Sequence, residues 1–127
     1  LESKKYLAVY FSAAWCGPCR TFTPKLIEWY EQRDEADRGK FEVILMSRDQ
    51  SAKAMEEYMK DDKMPWPALA YNRRDRSPLA KYSGRGIPCL VIIDSEGNVL
   101  SHSYVDGDFV GPSKVLKDLE KLLAESS

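Results

Sequence analysis

The chain has 127 residues, of which 43% are hydrophobic, so it can form one hydrophobic core but is too short for two comfortable domains. Its net charge of −1 and its scattered Lys and Arg residues argue against nucleic acid as a partner, and no apolar run approaches the ~20 residues that span a bilayer. Three cysteines are too few for a disulfide-stabilised scaffold, so we expect them to serve chemistry instead.

The first predicted element is a strand over residues 6–13, an unbroken apolar run typical of a central strand buried on both faces. A short loop leads from it into a helix whose apolar residues recur at i, i+4, i+7 and i+8 and form one stripe. The stripe consists of Phe22, Leu26, Trp29 and Tyr30. Pro24 lies inside this pattern and removes a backbone hydrogen bond, so we expect the helix to bend there.

A second strand is predicted over residues 41–46, after a charged stretch at residues 31–40 that carries no predicted element. In the turn that follows, Asp49 or Ser51 is expected to cap a helix that continues to about Asp61. A strand, a helix and another strand form a crossover unit, so the first two strands should be parallel neighbours.

The second half of the chain contains a predicted hairpin. Two closely spaced prolines in residues 64–69 disfavour regular structure there, and a short helix is expected over residues 78–82. A buried strand over residues 89–94 is followed by turn residues and by a returning strand over residues 99–105. These last two strands should therefore be antiparallel.

A final helix is expected to begin at Gly111-Pro112-Ser113. Its apolar face would consist of Val115, Leu116, Leu119, Leu122 and Leu123. The predicted fold class is α/β, with a central mixed four-stranded sheet flanked by helices. We expect one domain over residues 1–127, with loose ends at residues 1–5 and 125–127.

The sequence Trp15-Cys16-Gly17-Pro18-Cys19 lies where the first strand gives way to the helix. A cysteine at this turn is close to unpaired backbone N–H groups and to the positive end of the helix dipole, which stabilise a thiolate. Cys16 is therefore the candidate nucleophile. Cys19, about one helical turn further on, returns to the same face at a separation that a disulfide tolerates.

Three stretches carry a family resemblance. Residues 15–19 match the active-site motif of thioredoxins, residues 86–88 resemble the cis-proline loop of that superfamily, and Pro24 is placed like its kinking proline. The chain thus resembles the thioredoxin superfamily over roughly residues 5–104. The segments YFSAAWCGPCRTFTP, FEVILMSRDQS and MPWPAL are most similar to the tryparedoxin and nucleoredoxin branch, which usually has proline where this chain has Gly17.

The resemblance implies a thioredoxin fold and a protein-disulfide reductase. Cys16 and Cys19 would be catalytic, and their disulfide would be the only redox group, with no further cofactor and no metal. Trp15, Gly17 and Pro18 would tune the site, since a Gly-Pro pair goes with reductants more than with oxidants in this superfamily. The implied partners are protein disulfide substrates and an upstream dithiol or reductase donor, and we expect a monomer that binds neither nucleic acid nor membrane.

Three residues are candidates for substrate binding. Pro88, if its peptide bond is cis, would present the backbone of Ile87 to an extended substrate segment. Trp66, between two prolines, is the third candidate, although packing beneath its loop is the simpler interpretation.

Five further residues are considered for a chemical role and, as the simpler interpretation, for a role in packing or at the surface. Tyr10 lies where thioredoxins often have a buried acid, so its hydroxyl could assist proton transfer, but a core tyrosine is the simpler interpretation. Glu28 and Asp49, the acids considered in its place, are expected to be solvated. Cys89 is expected to be a small buried residue, with a regulatory or aberrant disulfide as the alternative, and His102 to be a surface or packing residue.

Other functions stay open at this point. A periplasmic thiol oxidase or isomerase would use the same motif, and a redox-gated interaction domain would use the dithiol without turnover. A zinc module could take Cys16, Cys19, Cys89 and His102 as ligands, but their spacing is unlike that of zinc knuckles.

The first residue is Leu1, not Met, so a preceding segment can have been removed, and both a periplasmic or exported location and a cytoplasmic one remain open.

Overall fold

A four-stranded sheet forms the centre of the fold in this computed structural model, which describes residues 4–126. Its strands are β1 (Tyr6–Ser12), β2 (Phe41–Ser47), β3 (Cys89–Asp94) and β4 (Val99–His102), in the order β2-β1-β3-β4. β1 is parallel to β2 and antiparallel to β3, and β3 is antiparallel to β4. The predicted α/β class, with a parallel first pair and an antiparallel last pair, is confirmed.

Helices surround this sheet. Within the described residues they are α1 (Gly17–Glu31), α2 (Glu35–Arg38), α3 (Ala52–Asp61) and α4 (Pro112–Glu125). The loop between α3 and β3 contains 3₁₀ turns at Tyr71–Arg73 and Pro78–Tyr82, the second of which was predicted as a short helix. Of the two residues predicted to cap α3, Ser51 does so, because its Oγ accepts a hydrogen bond from Ala54 N at 3.0 Å.

Both faces of the sheet are buried. Successive residues of a strand point to opposite sides, so one strand contributes side chains to both faces. Tyr10 of β1 belongs to the larger cluster, to which α1 contributes Leu26 and α4 contributes Leu119. Phe11 belongs to a smaller cluster on the other face, where Tyr82 of the second 3₁₀ turn packs. β1 is therefore the central buried strand that its apolar run predicted, and it delivers the active-site loop from the middle of the fold.

The predicted apolar faces of α1 and α4 pack against the larger cluster. Their fully buried members are Phe22, Leu26, Tyr30, Val115, Leu119 and Leu123, and their half-buried members are Trp29, Leu116 and Leu122. Pro24 lies inside α1 and has no N–H to donate to the Arg20 carbonyl, yet the helix continues to Glu31.

The returning strand predicted over residues 99–105 is divided in two. β4 ends before Ser103, and β5 (Tyr104–Val105) pairs with β6 (Asp108–Phe109) in a separate two-stranded sheet. Ser103 explains the division: it is fully buried, and its Oγ accepts a hydrogen bond from Leu90 N at 2.8 Å. The serine side chain thus takes a place in the ladder with β3 and redirects the chain away from the central sheet.

The charged stretch at residues 31–40 contains α2, which the sequence pattern did not predict. Asp34 caps it by accepting a hydrogen bond from Asp37 N at 2.9 Å. A helix of four residues is too short to show an apolar period, so the pattern could not indicate it.

The predicted loose ends fall only partly within the described residues, since residues 1–3 and 127 lie outside them. Lys5 N donates to the Lys40 carbonyl at 2.8 Å, and Glu125 is the last residue of α4. None of the described helices is both long enough and apolar enough to cross a membrane.

Candidate active site

Cys16 and Cys19 form a disulfide at the end of the sheet where β1 leads into α1. Cys16 is the N-cap residue of α1, with extended backbone angles, and Cys19 lies in the first turn of the helix. Their Cα atoms are 5.2 Å apart, within the range that disulfides allow. The structure therefore brings together the two cysteines that the motif predicted.

The two sulfur atoms have different surroundings. Cys16 retains 6% of its surface exposed, whereas Cys19 has none. The Cys16 Sγ also accepts a hydrogen bond from Cys19 N at 3.2 Å, in the position that an N-cap oxygen would take. When the disulfide is reduced, this N–H and the positive helix end stabilise negative charge on Cys16. Of the two cysteines, Cys16 is thus the one that keeps some surface toward a visiting sulfur.

The loop before β3 forms the facing wall of the site. The Ile87–Pro88 peptide bond is cis, and the Ile87 carbonyl oxygen lies 3.7 Å from Cys16 Sγ. Ile87 is half-buried and Pro88 is buried. The backbone of Ile87 is thus next to the more exposed sulfur, where an extended segment could pair with it.

The loop between β2 and α3 holds the residues that precede the disulfide. Trp15 is 62% exposed, and its Nε1 donates to the Arg48 carbonyl at 3.0 Å. Ala14 N donates to Asp49 Oδ1 at 2.9 Å, and Ser47 Oγ donates to Asp49 Oδ2 at 2.7 Å. Asp49 was predicted to be solvated, but it is only 3% exposed, because its carboxylate is occupied by these two donors. Glu28, by contrast, is exposed as predicted.

Four hydroxyl groups form a buried chain beneath the disulfide. Tyr10 pairs with Thr23 at 2.8 Å, Thr23 with Tyr58 at 2.8 Å, and Tyr58 with Ser12 at 2.7 Å. Burial raises the pKa of both tyrosine hydroxyls above the usual value for phenols. The tyrosines therefore remain protonated at neutral pH and join β1, α1 and α3 through hydrogen bonds.

An open apolar groove of about 740 Å³ runs alongside the disulfide. We define this groove by Pro18 and Phe22 of the α1 end, Ile87 and Pro88, and Tyr104 and Phe109 of the small hairpin, with Lys25 also lining it. Phe109 is 55% exposed and packs its ring against that of Tyr104, with the centroids 5.1 Å apart. The groove gives an apolar side chain a place to lie close to Cys16.

Trp66 is not part of this groove. It is 3% exposed and packs edge-on against Tyr10 and Tyr30, with ring centroids 6.3 Å and 5.5 Å apart. The prediction that Trp66 binds substrate is therefore wrong, because the indole fills the core beneath its loop and offers no surface to a partner.

Cys89 and His102 are structural. Cys89 is fully buried as a free thiol, and burial raises the pKa of that thiol. His102 Nε2 bonds to the Tyr82 carbonyl at 2.7 Å, and Nδ1 accepts from Tyr104 N at 2.9 Å. Among the described residues no group of His, Cys, Asp and Glu is arranged to hold a metal ion, so the Cys₃His set of the zinc alternative is not assembled.

Sequence reasoning missed the hairpin that walls the groove. Its turn uses Asp106 and Gly107 in left-handed conformations, with φ of 53° and 86°. An Asp-Gly pair between apolar residues is a strong hairpin signal, so this element could have been found. Thr23, which bonds to Tyr10, and Tyr58, which bonds to Thr23, gave no comparable signal.

The fold and the disulfide can be compared with known proteins. The family model described as Thioredoxin-like matches residues 4–99. The chain belongs to the thioredoxin-like family. This is a family of oxidoreductases, and the disulfide between Cys16 and Cys19 is consistent with a redox-active pair.

Relatives of this thioredoxin-like chain confirm the branch that the sequence resembled. Nucleoredoxin from Xenopus laevis is 38% identical over 117 residues, which are 91% of this chain and 26% of that protein. Tryparedoxin from Trypanosoma brucei brucei is 43% identical over 94 residues, 72% of this chain and 62% of that protein. The structure of tryparedoxin I from Leishmania major matches with a TM-score of 0.72 and 32% identity, over 94% of this chain and 77% of that one. The chain spans only about a quarter of the nucleoredoxin.

Proposed function

We propose that this chain is a protein-disulfide reductase that works by dithiol–disulfide exchange. The observation that carries the proposal is the asymmetry of the pair: Cys16 caps the helix N-terminus and keeps a small exposed surface, whereas Cys19 is completely buried. This arrangement separates the attacking thiol from the resolving thiol, as exchange requires.

The reaction begins with both cysteines reduced. The Cys16 thiolate attacks one sulfur of the substrate disulfide, which forms a Cys16–substrate bond and releases the first substrate thiolate, and that thiolate takes up a proton. Cys19 then loses its proton and attacks Cys16 Sγ, which closes the Cys16–Cys19 disulfide and releases the second substrate thiol. Two electrons pass from the enzyme to the substrate, and an upstream dithiol or reductase donor restores the dithiol.

The neighbouring residues support these steps. Trp15 is fixed by its indole hydrogen bond directly before the motif, while Gly17 and Pro18 contribute no charged side chain between the two cysteines. Ile87 and Pro88 offer backbone to an extended substrate segment. No further cofactor is needed, because the dithiol itself carries the two electrons.

Reduction of insulin disulfides by dithiothreitol, followed by turbidity, tests the proposal. The protein should accelerate the reaction, Cys16→Ser should abolish the acceleration, and Cys89→Ala, a matched change at the free thiol, should leave it intact. Full acceleration by the Cys16→Ser protein would overturn the proposal. The midpoint potential of the pair tests the direction, since a value near the oxidising end of the family, about −120 mV, would favour an oxidase instead.

A further inference from the structure

We propose that Lys25 and Arg85 make this site selective for acidic substrates. The preferred substrate is an extended segment of a partner protein whose disulfide-bonded cysteine is flanked by an apolar side chain and by Asp or Glu. The inference rests on the proposed reductase function and adds to it the chemical class of the substrate.

The apolar groove supplies the first half of the argument. Among the described residues that line it, Lys25 is the only charged one, and its side chain is exposed. The rest of the lining consists of proline, aromatic, aliphatic and small hydroxyl side chains. An apolar substrate side chain in the groove would therefore lie beside one positive charge.

Two arginines belong to the loops that hold the site. Arg85 is exposed two residues before Ile87, whose carbonyl oxygen is 3.7 Å from Cys16 Sγ. Arg48 is exposed beside Trp15, bonds to Ser83 and places its guanidinium over the Phe11 ring. Within residues 4–126, neither these arginines nor Lys25 forms an ion pair. Because Ser83 and Phe11 engage the Arg48 guanidinium, Lys25 and Arg85 are the charges open to a partner.

The nearby carboxylates do not cancel this charge. Asp49 is buried with both oxygens occupied by donors, and Asp62 lies 3.9 Å from Arg20. Asp106 and Asp108 are exposed on the hairpin, and Asp108 directly precedes Phe109, but neither aspartate lines the groove. Glu28, three residues after Lys25 on α1, lines a different depression.

The one charge that lines the groove among the described residues is therefore positive, although the whole chain carries a net −1. Cations around an apolar groove raise the local concentration of anionic segments and speed their association, and salt screens this effect. A basic segment would be repelled by the same cations. The site would therefore distinguish acidic from basic substrates mainly through their association rates.

The test uses two peptide disulfides of equal length with one apolar residue beside the cystine, one flanked by Glu and the other by Lys. The second-order rate constant for each with the reduced protein is divided by that with dithiothreitol, because flanking charge alters the reactivity of a disulfide itself. We expect the Glu peptide to react about tenfold faster at low ionic strength. In about 1 M salt the ratio should fall below about twofold.

Charge-reversed variants identify the residues. Lys25→Glu/Arg85→Glu should invert the preference, whereas Lys121→Glu, on the exposed side of α4 away from the groove, should preserve it. Equal rates for the two peptides with the unaltered protein, or a preference that survives the double reversal, would overturn the inference. If neither peptide is reduced, the reductase function itself is wrong and the inference falls with it.

Discussion

The two sides of the disulfide are built differently. On the inner side, beneath Cys19, Ser12, Thr23 and Tyr58 bond to one another, and the Asp49 carboxylate is filled by two donors. On the outer side lie the apolar groove and Lys25, which forms no ion pair within the described residues.

This difference separates two tasks. Buried polar groups that satisfy each other fix the position of the motif, because leaving any one of them unpaired costs free energy. Exposed apolar and charged groups contribute little to the stability of the free protein and are available to a partner. Changes on the inner side should therefore lower stability, and changes on the outer side should alter kinetics.

Replacement of Asp49 on the inner side is expected to have the largest effect. Asp49→Ala leaves Ala14 N and Ser47 Oγ without their acceptor, so the free energy of unfolding should fall by about 2–4 kcal/mol. Urea denaturation of the oxidised protein measures this change. Asp75→Ala, at an exposed aspartate, is the control and should cost less than about 0.5 kcal/mol. Equal losses in both variants would contradict the contrast between buried and exposed groups.

The hydroxyl chain should give the next largest effect. Tyr58→Phe removes the group that bridges Ser12 and Thr23, so we expect a loss of about 1–2 kcal/mol in the free energy of unfolding. Tyr6→Phe, where the hydroxyl makes no hydrogen bond within the described residues, should change stability by less than about 0.5 kcal/mol. A Tyr58→Phe protein as stable as the Tyr6→Phe protein would show that the chain of hydroxyls does not hold the motif.

Phe109 tests the outer side. Truncation to Ala removes an apolar wall of the groove, so kcat/KM for an insulin-like substrate should fall about fivefold, equivalent to ~1 kcal/mol. Because Phe109 is 55% exposed, the stability should change by less than that amount. Val99→Ala, at another exposed apolar residue outside the groove, should leave kcat/KM unchanged. If the free energy of unfolding fell by more than the free energy equivalent to the loss of kcat/KM, Phe109 would act mainly in stability, and its assignment to substrate binding would be wrong.

A surface carboxylate distant from both sides should give the smallest effect. The hydrogen bonds from Lys114 and Ser101 lower the pKa of Asp118 below its usual value. A lowered folded-state pKa adds stability above the unfolded pKa of about 4, and that stability is lost as the pH falls through the folded pKa. Asp118→Asn should thus cost about 0.5 kcal/mol at pH 7 and nothing in strong acid, measured by denaturation across pH. A cost that persists in strong acid would contradict this assignment.

The sequence predicted the inner framework well where the signals were local. The apolar run of β1 and the stripe of α1 specify burial through their periods, and residues 15–19 specify the disulfide at the junction between them. These features depend on neighbours within one or two turns, so no tertiary contact was needed to find them.

The contacts between distant elements could not be predicted in the same way. From its sequence context, Asp49 resembles a solvated turn residue. Only the fold shows that its carboxylate accepts a hydrogen bond from Ala14 N, 35 residues away. For Trp66 the sequence left both a groove and packing beneath the loop open, and the burial of the indole in the core supports packing. The hairpin of residues 104–109 is the exception, because its Asp-Gly turn is a local signal. It was missed because one continuous strand was predicted over residues 99–105.

Trapping of the reaction intermediate tests most directly whether Cys16 attacks and Cys19 resolves. Reduced Cys19→Ser protein mixed with a peptide disulfide should accumulate a covalent adduct, and peptide mapping by mass spectrometry should locate it on Cys16 alone. Adducts on Cys89, or none at all while the folded Cys16 thiol is free, would contradict the account.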